Sequence, residues 1–412
     1  MKIYLVGGAV RDQLLQRPIT ERDWVIVGGS TEELIKQGYR PVGKDFPVFL
    51  HPQTHEEYAL ARTERKIGKG YKQFTVYASP EVTLEEDLLR RDITINAMAQ
   101  TLDGKLIDPY GGQKDLENKL LRHVSPAFSE DPVRILRIGR FAARYGFSIA
   151  EETMQLMLTM VRMGEVDALV PERVWQETQK ALTESMPWRF FEVLRQCGAL
   201  AILFPEIDRL FGVPSSKKWH PEIDTGLHTV MVLKQSTKLS TAPEVRFAAL
   251  VHDLGKGITP IDKWPKHHGH EITSLPLITQ LCKRYKIPFN YQSIALLVAK
   301  FHTHCHQALN LNANTLLKTL EQLDAFRRPT RFCDFLLACE ADNKGRKGAE
   351  NGNYPQSTFF KRVHEIASSV SIKPFLEKGL QDKALGEALH QERVRLIRKQ
   401  LPILHLEAQN AG

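Results

Sequence analysis

Apolar and polar positions follow two rhythms along the chain, and the change falls near residue 147. Before it, short β-branched runs predict strands at residues 3–6, 23–27, 48–51 and 58–61. Among them a 3.6-residue periodicity predicts helices at residues 10–15, 85–99 and 131–145. After Phe147 the strand signals fade and amphipathic helices follow at residues 151–163, 171–183 and 188–197. Pro171 opens one of them, where a missing N–H costs nothing. The Pro/Gly/Ser-rich segment 211–218 predicts a linker, and the glycine-rich segment 343–355 a loop. Residues 407–412 read as a frayed tail. The pattern is an α/β segment followed by an all-α one.

A chain of 412 residues is long enough for two to four domains, each with its own core. No apolar run approaches eighteen residues, so no membrane-spanning helix is expected. The N-terminus begins as a strand and turn rather than a secretory leader, which points to a cytoplasmic location. Five scattered cysteines give neither a disulfide framework nor a paired zinc motif, and are expected as reduced, mostly buried thiols. The net charge of +8 suits a polyanionic partner, because each neutralised phosphate releases counterions.

Candidate chemistry starts at Gly7-Gly8-Ala9-Val10-Arg11-Asp12. Glycines admit a phosphate close to the backbone, a helix start offers free N–H groups, and Arg11 can pair with a phosphate oxygen. Glu21 and Asp23 follow, two apart at the start of a strand and so on one face, where both can meet Mg²⁺. Each feature alone is common in structural turns and surface charge pairs. Their succession within seventeen residues resembles the head of the nucleotidyltransferase superfamily, in the subgroup of bacterial CCA-adding enzymes and bacterial poly(A) polymerases. The first carboxylate is Glu21 where that subgroup more often has Asp. Glu56 or Glu57 is a candidate third carboxylate.

Two further stretches carry the resemblance. Leu88 to Ala99 contains Arg91, which by similarity faces the incoming nucleotide. Asp92 and Asn96, at i and i+4, are expected on one helical face. Glu130 to Phe141 places Asp131, Arg134, Arg137 and Arg140 at three-residue intervals. From spacing this is an amphipathic helix with a basic stripe. The resemblance implies more: Asp131 and Arg134 form a protein template for the base of CTP or ATP, and Arg137 and Arg140 hold the nucleotide with Gly8, Arg11 and Arg91.

Nine of the fifteen histidines fall between His220 and His306, a density that suggests metal chemistry. His252-Asp253-Leu254-Gly255-Lys256, with His228 before it and Asp342 after it, resembles an HD phosphohydrolase core. The family's ligand set maps to His228, His252, Asp253 and Asp342 around a divalent metal, Mg²⁺, Mn²⁺ and Ni²⁺ all being compatible with such donors. His267, His268, His270 and His302 are candidates for phosphate or metal without individual roles, and His304 and His306 equally suit a surface.

From Met1 to about residue 355 the chain resembles the multifunctional CCA protein family. The resemblance implies an α/β nucleotidyltransferase head, with a small mostly antiparallel sheet, at residues 1–140. A helical neck and body for nucleotide and tRNA binding follow at 141–223, an HD domain at 224–345 and a helical tail at 346–412. It implies Mg²⁺-dependent addition of C, C and A to tRNA from CTP and ATP. It also implies 2′,3′-cyclic phosphodiesterase, 2′-nucleotidase and phosphatase activity in the HD domain, with Ni²⁺ among its candidate metals. A monomer and a homodimer are both compatible. The rivals are a bacterial poly(A) polymerase and an HD phosphohydrolase with a non-catalytic, RNA-binding head.

Overall fold

The computed structural model describes residues 1–42, 48–66, 74–216 and 224–410. His220, Lys217 and Lys218 lie outside the described residues. The chain divides into two compact units, Met1–Leu203 and Phe204–Gly412.

The first unit is built on strands β1 (Lys2–Val6), β2 (Asp23–Val27), β3 (Arg40–Val42), β4 (Val48–Leu50) and β5 (Glu57–Leu60). A separate hairpin, β6 (Arg62–Lys66) and β7 (Phe74–Ala78), precedes β8 (Ala99–Thr101) and β9 (Leu106–Ile107). Seven of them form one sheet in the order β3-β4-β5-β2-β1-β8-β9. All its neighbours are antiparallel except β2 and β5, which run parallel with Asp23 opposite Glu57. Alternation sends Val6, Val25 and Ala99 to a core shared with Leu84 and Leu88, and Leu5 to the opposite face against Ala9, Val10 and Met98.

Helix α1 (Gly8–Leu14) follows β1 directly, and α2 (Thr31–Lys36) is closed by a capping box of Ser30 and Glu33. Helix α3 covers only Leu84–Leu89, then Thr94–Asn96 makes a single 3₁₀ turn before β8. The expected helix over 85–99 therefore stops early. Ile93 is extended and bridges His123, and the Thr94 N–H donates to Arg122 O. The β-branched Ile93-Thr94-Ile95 run favours that extended path over helix.

After α4 (Gly112–Glu117) comes α5 (Val133–Tyr145), whose apolar face packs on α7 (Pro171–Thr183) and α8 (Pro187–Gln196). Helices α6 (Glu151–Arg162) and α9 (Ala199–Leu203) complete the unit. The expected strand at 23–27 and helix at 171–183 match their observed bounds, and the others, 85–99 aside, differ by one or two residues at an end.

The second unit is helical among its described residues. It runs through α10 (Pro205–Asp208), α11 (Thr225–Leu239), α12 (Pro243–Val251), α13 (His270–Tyr285), α14 (Phe289–His306), α15 (Ala313–Gln322) and α16 (Pro329–Lys344). Helices α17 (Pro355–Ser368), α18 (Lys373–Glu377) and α19 (Asp382–Asn410) follow. Helices α11, α12, α14 and α16 pack on one another around Val232, Ala249 and Ala341. All five cysteines are free thiols and four are buried, as expected. No helix among the described residues is long and apolar enough to cross a membrane.

Candidate nucleotide and metal sites

In the first unit, β1, β2, β5, α1, α5 and α7 surround a cavity of about 600 Å³. Every head residue singled out from the sequence lines it: Gly8, Arg11, Glu21, Asp23, Arg91, Asp131, Arg134, Arg137 and Arg140. Nine arginines against five carboxylates give the wall an excess of positive charge suited to a polyphosphate.

Gly7 makes the turn from β1 into α1 at φ +69°, and a Cβ there would stand 2.7 Å from an Arg91 guanidinium nitrogen. Only glycine meets both the turn and the approach. Asp23 opens β2. Burial raises its carboxyl above the ordinary value; Arg91 lowers it and Glu21 raises it further. That carboxylate crowding favours a cation. Glu57 lines the cavity in register with Asp23, whereas Glu56 turns away to accept from Trp24 Nε1 at 3.0 Å. Of the two adjacent glutamates, Glu57 is the one that lines the cavity beside Asp23. Among the described residues, groups of three donors within 4.8 Å occur only in the second unit. Such a looser carboxylate set fits Mg²⁺, which keeps waters and substrate phosphates in its shell.

The arginines are more tied down than a solvated stripe allows. Arg11 spends its two-pronged edge on Asp12, at 2.9 and 2.9 Å, and also donates to Asn96. Asn96 in turn donates to Asp92 at 3.0 Å, and Asp92 accepts from Arg137 at 2.7 Å. Asp92 and Asn96 thus meet across a turn rather than along a helix, and link Arg11 to Arg137. Burial alone would raise the Asp92 carboxyl, but Arg137 and Asn96 hold it well below its ordinary range. Arg140 is buried and donates to Glu177 at 2.6 Å. Arg134 donates to the carbonyls of Ala127 and Arg90. Asp131 is clamped by Arg173, whose two nitrogens reach its two oxygens at 3.0 and 2.7 Å. Arg173 and Glu177 lie four apart on α7 and carried no motif; only the fold brings them to α5.

The second unit holds a buried cluster of histidines and carboxylates. Nδ1 of His252 donates to Ala249 O at 2.8 Å, that of His270 to His267 O at 2.7 Å, and that of His302 to Val298 O at 3.0 Å. A carbonyl can only accept, so each neutral ring presents an Nε2 lone pair inward. Nε2 of His252 lies 3.1 Å from Asp253 Oδ2 and 3.6 Å from Asp342 Oδ1, with hydrogen-bond geometry to neither. Nε2 of His270 lies 3.2 Å from His302 Nε2 and 3.2 Å from Asp253 Oδ1, an oxygen that is also buried without a hydrogen bond. Converging lone pairs and orphaned oxygens fit a divalent metal.

Burial disfavours a second proton on His252, yet Asp253 and Asp342 push its pKa up to about 10: the two carboxylates demand a cation there, which a metal on Nε2 would supply in place of the proton. Burial keeps His302 well below its ordinary value, in the neutral ligand form. The sequence candidates His228, His252, Asp253 and Asp342 are all here, His228 Nε2 lying 2.9 Å from Asp342 Oδ1. His270 and His302 join them. His306 Nε2 lies 2.6 Å from Asp342 Oδ2 and its Nδ1 lies 2.9 Å from Tyr354 OH, so the ring is held at both ends and orients Asp342. His267 is turned to Pro214 O and His304 to Thr319. Gly255 permits the assembly, since a Cβ there would sit 2.3 Å from His270 O.

Residues 3–122 match the poly A polymerase head domain family, 146–211 the probable RNA- and SrmB-binding site of polymerase A, and 225–328 the HD domain. A multifunctional CCA protein of Thioalkalivibrio sulfidiphilus is 61% identical over 97% of this chain and 98% of its own. One from Nitrosococcus oceani is 59% identical over 97% of this chain and 98% of its own. The fold is similar to that of a Thermotoga maritima CCA-adding enzyme complexed with tRNA, with TM-score 0.64 at 21% identity, covering 99% of this chain and 91% of that one.

Proposed function

This chain belongs to the multifunctional CCA protein family, and we propose that it adds and repairs the 3′-terminal CCA of tRNA from CTP and ATP without a nucleic-acid template. The observation that carries the reading is the parallel register of β2 and β5. It sets Asp23 and Glu57 side by side in a cavity whose other wall is arginine.

In this reading Glu21 and Asp23, with Glu57 beside them, hold Mg²⁺. Bound there, Mg²⁺ lowers the pKa of the tRNA 3′-hydroxyl and neutralises charge on the α-phosphate and leaving pyrophosphate. The Gly7–Gly8 turn admits the triphosphate near the backbone, and Arg91 and Arg137 face it. Arg11 and Arg140 support these from behind, through Asn96 and Asp92 in one case and through Phe141 in the other, with the Arg140 guanidinium 4.6 Å from that ring centre. Asp131 accepts from, and Arg134 donates to, the base edge. Cytosine and adenine each offer an amino donor and a ring acceptor; uracil and guanine leave a buried partner unpaired. The basic surface grips the acceptor arm through phosphate and shape.

The second unit adds a metal-dependent phosphohydrolase, with 2′,3′-cyclic phosphodiesterase, 2′-nucleotidase and phosphatase activity. His228, His252, Asp253 and Asp342, joined by His270 and His302, would hold the metal, which supplies an activated water. The support is the set of inward-facing Nε2 atoms and the orphaned Asp253 oxygen.

One experiment separates the readings. A tRNA lacking its CCA end is incubated with CTP, ATP and Mg²⁺, and the products are resolved at single-nucleotide resolution. Addition of three nucleotides and a stop is expected. A long A tract would instead make the head a poly(A) polymerase, and no extension would make it an RNA-binding module.

A further inference from the structure

Beside the histidine cluster lies a cavity of about 470 Å³. One wall carries Lys256, His270, His302 and Asp342 of the metal site, and the other carries Asn310, Arg346 and Gln356. Arg346 follows the end of α16, four residues beyond Asp342. Its side chain is half-buried, its Nε is fully buried, and its guanidinium makes no hydrogen bond or ion pair with any described residue. Other arginines of the unit are matched, Arg284 to Glu206 at 2.7 Å and Arg331 to Leu323 O at 3.0 Å. Burying part of a cation without an acceptor is costly unless something else fills the place. Lys256 is no substitute, because its ammonium is spent on Asp253 at 2.6 Å. The Gln356 carbonyl oxygen in the same cavity is likewise buried without a donor.

We propose that this cavity binds the phosphate-bearing end of a nucleoside, with Arg346 as the anchor for the non-bridging phosphate oxygens. The proposal rests on the phosphohydrolase reading and names the substrate-holding part of that site. A guanidinium fork matches two phosphate oxygens at once, and the open side of Arg346 shares its cavity with the metal donors. The amides of Gln356 and Asn310 are placed to take ribose or base polar groups. The volume suits one nucleotide, free or at the end of an RNA chain. With a 2′,3′-cyclic phosphate in place, hydrolysis adds one water: its oxygen bonds phosphorus, one ribose P–O bond breaks, and the freed ribose oxygen takes the proton.

The test uses the full chain loaded with Mn²⁺ or Ni²⁺, with 2′,3′-cyclic AMP and a short RNA ending in a 2′,3′-cyclic phosphate as the two probes. Arg346→Ala is expected to raise KM for the accepted probe by about 10- to 100-fold, with a smaller change in kcat. Arg346→Lys recovers part of that loss, and CCA addition by the same preparations stays at the wild-type rate. The probe that is hydrolysed tells free nucleotide from RNA end. An unchanged KM in Arg346→Ala overturns the anchor. If the wild-type protein hydrolyses neither probe, the phosphohydrolase reading falls. Calorimetric binding of inorganic phosphate then decides the pocket: binding lost in Arg346→Ala supports it, and binding equal in both proteins, or absent from both, overturns it.

Discussion

Arg173→Ala tests whether Asp131, proposed to read the base, works only when clamped. Asp131 has about four lone-pair positions. In the structure Arg173 fills two, at 3.0 and 2.7 Å, and the Val133 N–H fills a third at 3.1 Å. One direction remains for a base amino group. Removing Arg173 leaves a single backbone bond, and the carboxylate swings. Charge-assisted hydrogen bonds contribute about 1.5–3 kcal/mol net. The side chains are 27% and 18% exposed, so that range is taken for the pair as a whole. It corresponds to about a 10- to 100-fold loss in kcat/KM for CTP on a tRNA that ends before its first C. UTP, which never used the amino-group acceptor, loses less, and the CTP/UTP ratio narrows. Arg173→Lys keeps the charge without the fork and falls between. Steady-state kinetics with both nucleotides checks this. Equal losses for CTP and UTP, or a gain for CTP, would refute the clamp.

The other predictions concern each site in turn. Asp23→Ala is expected to abolish CMP and AMP incorporation while leaving any phosphatase activity intact; extension of tRNA by the mutant would remove Asp23 from the metal site. Glu57→Gln should raise the Mg²⁺ needed for half-maximal addition by about tenfold, whereas Glu56→Gln, whose partner is Trp24, should leave it nearly unchanged. Gly255→Ala drives a Cβ into His270 O and should cost about 1–3 kcal/mol and weaken metal binding by calorimetry, while nucleotide addition persists. For Asp92 and Asp87, burial raises the carboxyls but Arg137 for the one, and Arg90 and Arg91 for the other, carry both below their unfolded values. Their stabilisation is therefore complete above about pH 4 and is lost as pH falls through the folded values. Urea unfolding from pH 7 to pH 3 should show that loss, and Asp92→Asn should lower stability at pH 7 and flatten the acid limb.

The sequence carried the motif residues because their chemistry is local. Gly7 needs a positive φ at a strand end, and Asp23 needs only to begin a strand, so both sites could be placed from a dozen residues each. It failed where partners come from far along the chain. Nothing near Asp131 announces Arg173, 42 residues on, and nothing near Arg140 announces Glu177. That Glu57 rather than Glu56 stands in register with Asp23 follows from the pairing of β5 with β2, which two adjacent glutamates cannot reveal. The helix expected over 85–99 failed for a different reason. Its periodicity was real, but Ile93 and Thr94 found better backbone partners in the segment around residue 122. Among the histidines, the deciding signal was which carbonyl each Nδ1 meets, and that is set only by the packed helices.

Strand β1 precedes its sheet partners in the chain yet lies inside the sheet, between β2 and β8. Synthesis runs at about 5–20 residues per second, so β1 and β2 emerge within seconds of each other and can zip at once. The free edge of β2 then waits for residues 57–60, and that of β1 for residues 99–101. For on the order of 10 s the nascent chain exposes two apolar, unpaired strand edges, the kind that recruit other chains. Asp23 is translated well before Glu57, so its neighbour in space is fixed only when β5 docks. A ribosome stalled before residue 101 would thus hold a chain with an open sheet edge on β1, prone to pair with other chains.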